Sequence, residues 1–248
     1  VHSGPEVGRH SFNTTASDYD LWDTYLPAFQ NLVKNAKVSS VMCAYNRLDG
    51  EPCCGNKRLM IDILRNQWNF TGYVTSDCGA IDDFYMQHKT HKDAIMASAD
   101  AVKNGTDLEC GQYSYKALIE AVKLGLIEEK TIDESVKRLF TIRAKLGMLD
   151  APEVNPYYTI RCDTLECNTQ KEHARKMARE SIVLLKNKNE ILPLSSKTKK
   201  SVVVGPNANN EEVQLGNYNG FPSEIITPLE GIRAISGTNI IYVKATDY

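Results

Sequence analysis

Gly72-Tyr73-Val74-Thr75-Ser76-Asp77-Cys78-Gly79-Ala80 is the stretch on which the reading of the fold turns. An apolar, β-branched run ends in a carboxylate and is followed at once by a glycine turn. That is the pattern of a buried strand delivering one acidic side chain to the edge of a sheet. Upstream, Val38 to Tyr45 (VSSVMCAY) is a second such run, closed by Asn46 and the turn signal Asp49-Gly50, and a weaker third surrounds Thr106-Asp107-Leu108. Leu21 to Lys37, Leu59 to Trp68 and Ala94 to Asn104 lie between them with apolar residues at helical spacing. Strands that are apolar throughout and alternate with helices imply a parallel sheet covered by helices, hence an α/β barrel or a doubly wound sheet. Two more helices are predicted, Tyr115 to Leu126 and Ile132 to Leu149. Thr131 with Glu134 reads as a capping box for the second, and Gly147 as its C-terminal signal.

Residues 151–170 lose this periodicity. Pro152, Pro156, Tyr157-Tyr158 and the pair Cys162/Cys167 read as an interdomain linker. A new unit over residues 171–248 is expected to hold a helix from His173 to Lys186, ended by Leu192-Pro193-Leu194. A buried strand at Ser201 to Gly205 (SVVVG), a short helix at Pro228 to Ile235 and a strand at Ile240 to Lys244 complete one βαβ unit. A dinucleotide site would need three spaced glycines running into a helix, and only Gly205 is present, so no nucleotide cofactor is expected. Lys197-Thr198-Lys199-Lys200 reads as a solvated turn.

Composition narrows the function classes. A formal net charge of −2 gives no long-range attraction to nucleic acid or to an anionic membrane surface. No apolar run approaches the ~20 residues of a membrane span. Seven cysteines make no pair of Cys-x-x-Cys knuckles, so no structural zinc is expected, and no His/carboxylate cluster at ligand spacing points to another metal. Disulfides in an exported, secreted or periplasmic protein are the better reading, and sequons at Asn13, Asn69 and Asn104 are compatible with it. His88 and His91 flank Lys89 in what reads as a solvated loop rather than a metal site, and Trp22 and Trp68 read as core. Val1 to Pro5 resembles the end of a strand, and the strand Ile240 to Tyr248 leads to no crossover; both ends are expected to be truncations.

In a parallel barrel, a carboxylate that closes a strand stands at the C-terminal mouth, where such enzymes place their chemistry. Asp77 there is a short, stiff carboxylate, which suits a nucleophile toward a sugar's anomeric carbon. The structural alternative is an Asp capping the next helix, with Asp82 or Asp83 as rivals for that task.

Val41-Met42-Cys43-Ala44-Tyr45-Asn46, Gly50-Glu51-Pro52-Cys53-Cys54, Leu59 to Trp68 and Gly72 to Ala80 together resemble family 3 glycoside hydrolases. The resemblance continues through Gly105 to Cys110 and into Ala178 to Asn187 and Leu192-Pro193-Leu194. It implies an α/β fold. Residues 1–150 would form the C-terminal part of a (β/α)8 barrel and 171–248 the beginning of an α/β sandwich domain. In the family, Ser-Asp-(Trp or Cys)-Gly-Ala carries the nucleophile, which falls on Asp77; the tyrosine of Met-x-x-Tyr-Asn falls on Tyr45, with Met42 in the same sugar-binding segment. Glu6, Arg9 and His10 sit in a family-like Ser-Gly-Pro-Glu-x-x-Arg-His, suited to binding sugar hydroxyls or to a salt bridge within the loop. The resemblance implies a retaining enzyme with its two carboxyl groups ~5 Å apart. The acid/base glutamate is expected from the remainder of the polypeptide, so this chain alone should be inactive or act as a non-catalytic piece. Its partner is then an oligosaccharide, with no cofactor.

Cys78 and Cys110 bear on which sugar. Each follows a strand end, and neighbouring strands ~4.8 Å apart bring Cα atoms into the ~4.4–6.8 Å range of a disulfide. Such a bridge beside the nucleophile would crowd a hexose's hydroxymethyl group; the alternative is two reduced, buried fillers. In the family, Trp after the nucleophile usually accompanies glucose and Cys more often xylose. The expectation is release of β-linked xylose from xylo-oligosaccharides, with β-glucosidase or α-L-arabinofuranosidase activity as rivals.

Overall fold

Two parallel strands organise the first part of the chain. In the computed structural model, which describes residues 6–195, 200–236 and 239–246, β1 (Ser40–Cys43) runs beside β2 (Tyr73–Ser76), Val41 against Val74 and Cys43 against Ser76. The sequence readings at Val1 to Pro5 and Lys197 to Lys199 lie outside the described residues. Leu108 bridges Thr75 in parallel, and the Ser76 amide donates to the Leu108 carbonyl at 2.8 Å, so the three apolar runs stand side by side. Gly72 opens β2 where it passes the preceding strand: a Cβ there would meet the Ser39 carbonyl oxygen at 2.2 Å, so only glycine fits.

Helices cover this sheet. α1 (Pro27–Lys34) precedes β1, and α2 (Arg58–Gln67), wound as a π-helix, leads into β2. α3 (Ala94–Lys103) is capped by Asp93, whose carboxylate accepts from the Met96 amide at 3.0 Å. α4 (Leu118–Lys123) and α5 (Glu129–Lys145) follow. Leu21, Ile63, Val74, Ile81, Phe84, Ala97 and Ala101 form one apolar cluster, each at most 2% exposed.

Behind the strands lies a buried ion network. The Asp107 side chain is fully covered and accepts from Arg65 at 2.6 Å, from Arg138 at 2.8 Å and from the Val74 amide at 2.8 Å. Arg65 also donates to the carbonyls of Gly72 and Gly105. A buried carboxylate is tolerable only when its charge and lone pairs are met in this way.

Between Leu21 and Leu149, helix boundaries depart from the spacing in three places. The stretch from Leu21 to Lys37 breaks into a π turn (Leu21–Tyr25) and α1, because Pro27 has no amide hydrogen to continue the helix and suits a first-turn position. α5 starts at Glu129 behind an extended Glu128, so Thr131 lies inside the helix and caps nothing. The helix from Tyr115 to Leu126 begins as a 3-10 turn, Ser114–Ala117. Gly147 does close α5, with φ +68°.

The chain divides into two units, residues 1–155 and 156–248. In the second, α6 (Asn168–Ser181) ends five residues short of the predicted end at Lys186, and Ile182 after it is extended. Branching at Cβ in Ile182-Val183 favours the extended chain. β3 (Lys200–Val204) and β4 (Asn239–Val243) pair in parallel around α7 (Pro228–Ser236), giving the βαβ unit read from the sequence. Thr227 and Glu230 form a capping box before α7: each accepts the other's amide, at 3.3 and 2.9 Å. β3 is not the buried strand its composition suggests; Val202 and Val204 are 56% and 60% exposed. Gly205 takes φ +122° and is followed by a 3-10 turn, Pro206–Asn209, rather than by an α-helix.

Candidate active site

β2 ends at Ser76, and the next residue, Asp77, sits at the C-terminal edge of the parallel strands, half-buried. Its position is set from both sides. The Asp77 amide donates to the Cys43 carbonyl at 3.2 Å, across from β1, and Gly79, with φ +79°, donates to the Cys110 carbonyl at 2.7 Å. The carboxylate accepts from the Cys78 amide at 2.8 Å, a local turn contact; Asp77 caps no helix. Cys78 and Cys110 are joined by a disulfide with Cα atoms 4.4 Å apart, so the loop after β2 is tied covalently to the loop after the third run.

Tyr45 stands two residues beyond the end of β1 and is held from several sides. Its hydroxyl donates to the Cys78 carbonyl at 2.8 Å, and its own carbonyl accepts from His88 Nε2 at 2.8 Å. The His10 ring lies 4.2 Å from its ring, and the Arg9 guanidinium stands 5.3 Å over its face. Tyr45, Asp77, Met42, Arg9 and Glu6 all line one cavity of about 490 Å³, which Asn46, Phe29 and Val41 extend. His10, Cys78 and Cys110 adjoin it without lining it.

The surroundings differ from the sequence reading at the histidines. His88 is 6% exposed rather than solvated, and burial pushes its pKa below the ordinary 6.5. A carbonyl can only accept, so Nε2 carries the ring proton. His91 pairs with Asp100 at 3.3 Å. Among the described residues, no group of three or more His, Cys, Asp or Glu side chains could hold a metal ion. Trp68 is buried, but Trp22, edge-on to it at 6.5 Å, is 38% exposed.

Three further residues were not singled out for the site. Asp83 holds His10 Nδ1 at 2.6 Å, and burial raises its carboxyl above the ordinary 3.8 despite that bond. Glu109, also raised by burial, spends its oxygens on the amides of Ser114 and Tyr115, so it caps a turn rather than serving as a catalytic acid. Cys43 forms a second disulfide with Cys54, which leaves Cys53 as a buried thiol pushed up to about 11 by desolvation.

Residues 2–142 match the model of the glycosyl hydrolase family 3 N terminal domain, and residues 182–246 that of the glycosyl hydrolase family 3 C-terminal domain. The chain is 48% identical, over its whole length, to a xylan 1,4-beta-xylosidase of Xylanibacter ruminicola, of which it covers 29%. It is 38% identical over 94% of its length to a beta-xylosidase/alpha-L-arabinofuranosidase of Medicago sativa subsp. varia, of which it covers 30%. Among solved structures, a family 3 exo-beta-xylosidase in complex with a xylobiose aziridine probe superposes with TM-score 0.88 at 36% identity, over 96% of this chain and 31% of that one. A beta-glucosidase from Listeria innocua in complex with glucose gives TM-score 0.82 at 29% identity, over 98% and 33%. The chain thus spans under a third of the curated relatives' length.

Proposed function

Because this chain belongs to glycosyl hydrolase family 3, we propose that it carries the nucleophile half of a retaining, exo-acting β-xylosidase. The carrying observation is Asp77 at the C-terminal edge of the parallel strands, lining one cavity with Tyr45 and Arg9. The Asp77 carboxylate attacks C1 of a terminal xylose while an acid protonates the departing oxygen. The glycosyl-Asp ester so formed is then hydrolysed by water, the same acid now acting as base, with the original configuration restored. Tyr45, Met42, Arg9 and Glu6 bind the sugar, and the acid/base glutamate comes from the remainder of the polypeptide. Without it this segment turns over nothing. Two disulfides suit a secreted or periplasmic enzyme.

The Cys78–Cys110 bridge supports xylose, since it occupies the rim beside the nucleophile where a hexose would carry one more carbon substituent. The relatives' names keep glucosidase and arabinofuranosidase activity as rivals. Hydrolysis of 4-nitrophenyl β-D-xyloside, β-D-glucoside and α-L-arabinofuranoside by the protein in its natural full length decides among them. Higher kcat/KM on the xyloside is expected; a strong preference for the glucoside sinks the xylose reading.

A further inference from the structure

Resting on that reading of the site, we propose that Asp83 is a positioning residue for sugar binding, acting through His10 to hold the Arg9 guanidinium against Tyr45. Asp83 does not line the cavity; its side chain is 10% exposed, and His10 Nδ1 lies 2.6 Å from its Oδ2. Its backbone is anchored six residues after Asp77, donating to the Gly79 carbonyl and accepting from the amides of Gln87 and His88.

The chain of bonds assigns both nitrogens of His10. Arginine has no acceptor, so the 3.3 Å contact between Arg9 Nε and His10 Nε2 requires a lone pair on Nε2. The ring proton must then sit on Nδ1, and Asp83 must be the carboxylate that accepts it. The opposite tautomer would set an N–H of His10 against an N–H of Arg9. Asp83 therefore selects the one neutral ring form that can grip Arg9. With Nε held by His10, Nη1 paired to Glu6 and its flat face over Tyr45, the guanidinium is constrained in three directions at the cavity wall. A planar donor fixed in this way meets sugar hydroxyls without first being ordered.

The test uses the full-length protein and 4-nitrophenyl β-D-xyloside. Asp83→Ala should raise KM about tenfold with kcat within about threefold, as expected when an interaction equal in ground and transition states is lost. Asp83→Asn, whose amide oxygen still accepts from Nδ1–H, should restore KM to within about threefold of wild type. His10→Phe keeps the ring against Tyr45 without an acceptor and should behave like Asp83→Ala, which covers the case in which the alanine variant does not fold. In an Arg9→Ala background, Asp83→Ala should add nothing. Independent effects of Asp83 and Arg9, or an unchanged KM in both Asp83→Ala and His10→Phe, would overturn the proposal. If the wild-type protein hydrolyses neither xyloside nor glucoside, the reading of the reaction fails. Crystal structures of Asp83→Ala and His10→Phe then decide the positioning role alone: a guanidinium displaced from Tyr45 supports it, and one still in place refutes it.

Discussion

The two units use the same parallel strand–helix design and bury very different amounts of it. In the first, β1, β2 and the Leu108 segment are backed by helices and by a cluster in which Leu21, Val74, Ile81 and Ala97 are wholly covered. In the second, Thr227, Leu229 and Ile240 are the buried residues among those described, while Val202, Val204, Ile241 and the run from Ile182 to Leu185 stay exposed. Parallel pairing does not itself create a core; the strands must be covered by something apolar. The first unit covers the face that carries Cys43, Val74 and Ser76 and leaves Met42 of β1 open to the cavity, so Asp77 is held from a packed side to the tolerance a displacement reaction needs.

The largest effect that would sharpen this contrast is chemical. Asp77→Ala should lower kcat of the full-length enzyme by about ten-thousand-fold while its thermal unfolding is nearly unchanged. A variant that retains most of its turnover would remove Asp77 from the mechanism. Next comes the buried network. Asp107→Ala leaves Arg65 and Arg138 without their shared carboxylate and should destabilise the first unit by about 3–5 kcal/mol in urea titrations. Core packing compares the units directly: Phe84→Ala should lose about 3–4 kcal/mol, Val202→Ala less than about 1 kcal/mol. Equal losses would break the comparison. Replacing both Cys78 and Cys110 by serine should shift kcat/KM toward the glucoside by about tenfold relative to the xyloside.

The smallest effect is a pH dependence. His88 has its pKa lowered by burial, so the unfolded chain binds a proton more readily than the folded one just below pH 6.5. Stability associated with His88 is present above that pH and is lost as the solution is acidified toward the lower folded value. His88→Gln should flatten the melting-temperature profile below pH 6.5; an unchanged slope assigns the acid sensitivity elsewhere.

Much of the framework was legible because it depends on neighbours in sequence. Gly79, two residues after Asp77, marks the strand end, and Gly147 marks the end of α5. What was not legible depends on distant chain. His88 looks solvated beside Lys89, and only the Tyr45 carbonyl, 43 residues away, makes its burial acceptable. Asp83 looks like a helix cap until His10, 73 residues earlier, is placed against it. The helix expected through Lys186 ends at Ser181 because β-branching, not periodicity, decides the conformation of Ile182-Val183.

The carboxylate of Asp107 sets a limit on where this polypeptide can be shortened. One of its two guanidinium partners is carried by α5, far downstream of the strand whose amide it also holds. A version ending before Glu129 would keep every residue proposed to touch sugar, yet leave Oδ1 of Asp107 without the Arg138 guanidinium from which it accepts. The smallest piece worth expressing for ligand titration therefore runs past Arg138, and the reach of a single acid, rather than the edge of the cavity, draws that line.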